Sequence, residues 1–137
     1  MQIFAANPEA TAAAGADLAS RLTVGNVVLL EGTLGAGKTT FVRGLVAALG
    51  HDGPVRSPTF NLLQAFETDP PILHADLYRV DSHRGLGIED YLSTHVVVIE
   101  WPDRAHGLVD PGRCWRVSIE FAEDGRLLTI DRPSRGR

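Results

Sequence analysis

At 137 residues the chain is long enough to bury one hydrophobic core but short for a nucleotide-binding core plus a separate substrate domain, so one domain, 1–137, is expected to hold recognition and chemistry together. A net charge of −4 and a pI near 5.7 exclude whole-surface nucleic-acid binding and leave only a local basic patch, for which the Arg-rich end 132–137 is a candidate and a solvated tail the plainer reading. Cys114 is alone and no apolar run nears the ~20 residues of a membrane span, so the expectation is a cytoplasmic protein with no disulfide and no membrane contact.

Residues 1–5 suit a short strand. Asn7-Pro8-Glu9 then supplies an N-cap, a proline at the first helical position and an acid in the first turn, which predicts a helix to about Leu22 with the apolar stripe Ala10, Ala14, Leu18, Leu22. Val27 to Leu30 is apolar without alternation, as in a parallel strand covered on both faces. A glycine-rich loop follows, then a helical pattern (Phe41, Leu45, Leu49; Val42, Val46) that Gly50 is placed to stop. Residues 51–58 read as a loop, 59–66 as a strand, and Asp69-Pro70-Pro71 as the turn of a possible hairpin. Residues 72–78 alternate, with Leu73, Ala75 and Leu77 opposite His74, Asp76 and Tyr78; a polar strand face with a carboxylate calls for a partner or a ligand. Leu86 to Leu92 is a short helix weakened by Gly85 and Gly87, and Val96 to Ile99 is a second continuous apolar strand, ending on Glu100. Residues 116–121 and 126–131 flank a hairpin signal at 122–125. The pattern predicts an α/β fold: a P-loop NTPase-like sheet flanked by helices, mainly parallel in its core with antiparallel additions.

The loop Gly32-Thr33-Leu34-Gly35-Ala36-Gly37-Lys38-Thr39 fits G-x-x-x-x-G-K-[ST], between a strand and a helix as that motif requires. Glycines at 32, 35 and 37 remove Cβ atoms, so backbone N–H groups can turn inward around an anion at a helix N-terminus. Lys38 can reach β- and γ-phosphates as a point charge from solvent-filled space, and the Thr39 hydroxyl is suited to Mg²⁺. Lys38 is the only lysine; the other basic residues are all arginine.

Such a site still needs an acid at the end of a neighbouring strand. Glu100 closes an uninterrupted apolar run and is favoured for the metal, which leaves Asp76 to orient the attacking water or its metal-bound neighbours. Both have plainer readings: Glu100 as a surface strand end, Asp76 as an ion-pair partner of Arg79. His74 reads as a structural hydrogen-bonding residue, and Trp101 as packing rather than a base-stacking platform.

The ordered segments Leu34-Gly35-Ala36-Gly37-Lys38-Thr39-Thr40-Phe41, Ser57-Pro58-Thr59-Phe60, His74-Ala75-Asp76-Leu77-Tyr78-Arg79, Gly87-Ile88-Glu89-Asp90-Tyr91-Leu92 and Ile99-Glu100-Trp101-Pro102 resemble the bacterial TsaE (YjeE) family, small ATPases of tRNA threonylcarbamoyladenosine biosynthesis. The resemblance implies a Mg·ATP hydrolase that acts with the TsaB–TsaD pair without itself transferring the threonylcarbamoyl group, and whose contact with tRNA is indirect or local. It implies Thr39 and Glu100 as Mg²⁺ ligands, Gly35, Ala36, Gly37, Lys38, Thr39 and Thr40 as the phosphate cradle, Lys38 and Asp76 as catalytic residues, and Thr11 as a nucleotide contact. It further implies a switch-like loop at Ser57 to Phe60 and Arg126 near the base. Thr33 departs from the pattern, in which an acid is usual at that position. The rival reading on the same scaffold is a small-molecule kinase, which needs a lid that few remaining residues could build. A regulatory GTPase lacks its guanine motif, and a binding module with negligible hydrolysis would bind ATP without releasing phosphate.

Overall fold

Asn7 opens the first helix as its chemistry requires: its side-chain oxygen accepts from the Ala10 N–H at 2.8 Å, with Pro8 at the first helical position and Glu9 in the first turn. The computed structural model describes residues 1–55 and 62–134. Its α-helices are α1 (Pro8–Ala19) and α2 (Lys38–Ala48). Its strands are β1 (Gln2–Ala5), β2 (Val27–Gly32), β3 (Leu63–Phe66), β4 (Ile72–Asp76), β5 (Val96–Glu100), β6 (Trp115–Ala122) and β7 (Gly125–Asp131). They form one sheet in the order β1-β7-β6-β2-β5-β4-β3. The inner strands β6, β2, β5 and β4 are parallel, whereas β3 joins β4 and β7 joins β6 antiparallel, with β1 antiparallel to β7. The expected parallel core with antiparallel additions is thus observed. Its continuous apolar strands are buried on both faces because both faces are covered.

The two coverings differ. On one face α1 and α2 pack over Val28, Leu30, Ile72, Val96 and Val98. On the other, Val27, Leu29, Leu73, Ala75, Val97 and Ile99 lie under Leu77, Ile88, Ala105 and Cys114, from segments that hold only 3-10 turns at Ile88–Tyr91, Pro102–Ala105 and Pro111–Arg113. The helix expected at 86–92 is reduced to one such turn, since Gly85 and Gly87 adopt φ of +82° and +80°, outside helical geometry. Helix α1 ends three residues before Leu22, but tight turns from Arg21 to Leu18 and from Leu22 to Ala19 keep Leu22 in the core. Helix α2 starts at Lys38, ahead of its first apolar residue, because the glycine loop feeds directly into it. The strand expected at 59–66 is observed from Leu63; its first residues lie outside the described ones.

Helices α1 and α2 cross closely through two glycines. A Cβ at Gly44 would stand 1.9 Å from the Ala12 carbonyl oxygen, and one at Gly15 would stand 2.1 Å from that of Phe41. The obstructing atoms are backbone, so a methyl group forces the helices apart. Overpacking of this kind costs about 1–3 kcal/mol, against at most ~1 kcal/mol gained in helix propensity. Gly44→Ala is therefore expected to lower the midpoint of urea unfolding although it improves the local helix former. An unchanged or higher midpoint would show that the crossing is looser than described.

Candidate active site

The loop after β2 is shaped by its glycines. Gly35 and Gly37 take φ of +81° and +113°, and a Cβ at Gly32 would meet the Ile119 carbonyl oxygen at 2.7 Å. The N–H groups of Gly35, Gly37, Lys38, Thr39 and Thr40 have no acceptor among the described residues. Unpaired donors at the mouth of an α-helix form an anion cradle, and the helix dipole adds to it. Arg126, on the strand after the C-terminal turn, braces the cradle: its Nε donates to the Ala36 carbonyl at 3.1 Å while its guanidinium lies 4.4 Å over the Phe121 ring.

Two clefts flank this loop. One, about 520 Å³, is lined by Thr11, Gly35, Ala36, Gly37, Thr40 and Arg126. The other, about 570 Å³, is lined by Gly32, Thr33, Lys38, Trp101, Asp103 and Phe121. Thr11 reaches the loop from α1, a buried threonine whose methyl group would lie 3.6 Å from a Cβ at Gly37. Thr39 is half-buried in the first turn of α2.

Lys38 is not extended into solvent-filled space as the sequence reading expects. It is 6% exposed; its Nζ donates to the Gly32 carbonyl at 2.6 Å, lies 3.8 Å from Glu100 Oε1 and stands 4.3 Å over the Trp101 ring. A desolvated ammonium takes whichever negative groups lie within reach, and here those are a strand-end carbonyl and a carboxylate.

The carboxylates converge because β5 lies between β2 and β4. The register pairs Leu30 with Glu100 and Asp76 with Glu100, so the ends of three parallel strands deliver the loop and both acids to one edge. Glu100 is 3% exposed, which excludes a surface strand end. Its Oε2 accepts from His74 Nε2 at 2.5 Å. Asp76 forms no ion pair with Arg79; its Oδ1 accepts from the Tyr78 N–H at 3.1 Å. Burial first, and the neighbouring Glu100 charge second, hold the Asp76 carboxyl above the ordinary carboxylate value, with the Tyr78 N–H, His74 and Lys38 acting against that rise. The polar partner that the alternation of β4 called for is thus Glu100, held by His74. That link could not be found in sequence, since residues 74 and 100 meet only when β4 and β5 pair.

Trp101 holds left-handed backbone with φ 61° and stacks 5.1 Å from Tyr78, with the Arg104 guanidinium 5.2 Å from its ring. It therefore packs, as expected, but against the cationic end of Lys38. The loop at Ser57 to Phe60 lies outside the described residues. No group of three or more His, Cys, Asp or Glu that could hold a metal unaided occurs among the described residues. Mg²⁺ keeps several waters and combines one or two carboxylates with phosphate oxygens. A phosphate cradle, a hydroxyl at Thr39 and a buried acid at Glu100 fit such an ion. No described helix is long and apolar enough to cross a membrane.

Comparison with known proteins agrees with this fold. The family profile described as "Threonylcarbamoyl adenosine biosynthesis protein TsaE" matches residues 5–128. The tRNA threonylcarbamoyladenosine biosynthesis protein TsaE of a Nostoc species is 42% identical over 132 residues, covering 90% of this chain and 80% of its own. The protein of the same description from Haemophilus influenzae is 39% identical over 109 residues, covering 76% and 68%. The crystal structure of Bacillus subtilis YdiB overlays with a TM-score of 0.83 at 28% identity, covering 97% of this chain and 85% of that one. With the profile spanning most of the chain, and the phosphate loop and strand-end acids folded into one site, the chain belongs to the TsaE family of tRNA threonylcarbamoyladenosine biosynthesis proteins.

Proposed function

We propose that the chain binds Mg·ATP, hydrolyses it to ADP and phosphate, and acts with the TsaB–TsaD pair to sustain threonylcarbamoyl modification of tRNA adenosine. The observation that carries this reading is the meeting of an unpaired N–H cradle with Lys38, Glu100 and Asp76 at the ends of β2, β5 and β4. The cradle N–H groups bind the phosphates, and Thr11 and Arg126 line the cleft suited to the ribose and base. Lys38 exchanges Glu100 and the Gly32 carbonyl for phosphate oxygens, which frees the Glu100 carboxylate from its present cation. Thr39 and Glu100 would hold Mg²⁺, which would supply charge neutralisation to the phosphates. Asp76, register partner of Glu100 at the end of β4, orients the attacking water. On this reading the protein works in the cytoplasm as one domain, 1–137, and its contact with tRNA is indirect or confined to a local basic patch.

Hydrolysis by the isolated protein is expected to be slow, since the second cleft is open beside Lys38 and no described arginine reaches the cradle from that side. P-loop enzymes that lack a fixed arginine can gain about 10³- to 10⁵-fold from an outside protein. Phosphate release should be measured for the protein alone and with TsaB and TsaD together, and tRNA modification followed over many cycles with and without it. Rapid hydrolysis indifferent to both partners, with unaffected modification turnover, would overturn the reading.

A further inference from the structure

We propose that His74 is a positioning residue for Glu100, fixing which carboxylate oxygen is offered to a cation beside the phosphate loop; the proposal rests on reading Glu100 as a metal ligand. The His74 ring is 0% exposed, on the helix-covered face of β4, and its Nε2 donates to Glu100 Oε2 at 2.5 Å. Its Nδ1 is buried with no hydrogen-bond partner among the described residues. A leucine would fill such a position without stranding a polar atom, and an orphaned buried polar atom costs about 1–3 kcal/mol. Packing alone therefore does not account for an imidazole here. The one bond the ring makes ties down a flexible glutamate by its inner oxygen, and the other, Oε1, is left toward Lys38, whose side chain lines the cleft. Glu100 and Asp76 are register partners on the same face, so an untethered Glu100 would be free to turn among Asp76, Lys38 and the cleft. Hydrogen-bonded partners that orient metal ligands are worth about 10- to 100-fold in metal affinity.

The test uses His74→Leu, His74→Gln and Glu100→Gln in the full chain, with nucleotide binding followed by calorimetry in EDTA and across a Mg²⁺ titration. His74→Leu is expected to bind metal-free ATP as the parent does, to melt somewhat lower because the buried Glu100 loses its donor, and to need about 10- to 100-fold more Mg²⁺. His74→Gln, which keeps a donor, should recover part of that loss. A parental Mg²⁺ titration in His74→Leu alongside a weakened one in Glu100→Gln overturns the His74 proposal and leaves the metal assignment standing. An unaltered titration in Glu100→Gln overturns the metal assignment itself. Should His74→Leu fail to fold, ring-nitrogen NMR of the parent decides: adding Mg²⁺ to the ATP-analogue complex should shift the His74 nitrogens, and unmoved resonances would overturn the proposal.

Discussion

Lys38→Met is expected to lower Mg·ATP affinity at least about 100-fold, with a smaller loss of stability beside it. Two charge-assisted contacts to phosphate at roughly 1.5 kcal/mol each already account for that factor. The stability loss follows from the buried position of the ammonium. Its removal strips the Gly32 carbonyl of a donor and Glu100 of its nearby cation, at a cost of about 1–3 kcal/mol. Methionine keeps the length of the aliphatic stem and removes only the terminal ammonium that stands over Trp101, so the loss is chiefly that of the charge. Titration calorimetry should be run well below the melting temperature of the variant, with a thermal melt as control. Undiminished ATP affinity would remove Lys38 from the phosphate site. A large affinity loss with unaltered melting would mean that its contacts with Gly32 and Glu100 contribute nothing net.

Glu100→Gln and Asp76→Asn are expected to separate binding from turnover. Glu100→Gln removes the charge that Thr39 and the phosphates would share a metal with, and Mg²⁺-dependent affinity should fall about 10- to 100-fold while metal-free ATP binds nearly as before. Asp76→Asn should leave Mg·ATP affinity within a few-fold and lower the hydrolysis rate about 100-fold or more, because a water-orienting acid acts mainly in the transition state. The two side chains are close enough for Glu100 to raise the Asp76 carboxyl, so the double variant should fall short of the product of the single effects. Turnover lost through Glu100→Gln with binding intact, and the reverse for Asp76→Asn, would exchange the two assignments.

The sequence by itself determined whatever rests on adjacent residues. The Asn7 cap and Pro8, the continuous apolar runs of β2 and β5, the glycine loop running into α2 and the C-terminal hairpin are all set by local geometry and side-chain period, and the structure reproduces them within a few residues. The family resemblance was legible for the same reason, as short motifs in fixed order. Three features depended on which strands pair and what covers them. Residues 77–92 and 101–114 offer at most one short, glycine-weakened helical stretch, yet as loops and 3-10 turns they bury one face of β2, β5 and β4; coverage needs apolar side chains and not a helix. The close crossing of α1 and α2 makes Gly15 and Gly44 matter, although within either segment they read only as weak helix formers. The Lys38–Glu100–His74 chain joins the start of α2, β5 and β4 across the insertion of β5 between β2 and β4. An alternating pattern tells which side chains share a strand face, but strand order alone decides what stands opposite them. A lysine that reads as solvent-facing is therefore buried against a carboxylate, and a histidine that reads as structural becomes the only hydrogen-bond donor to that carboxylate among the described residues.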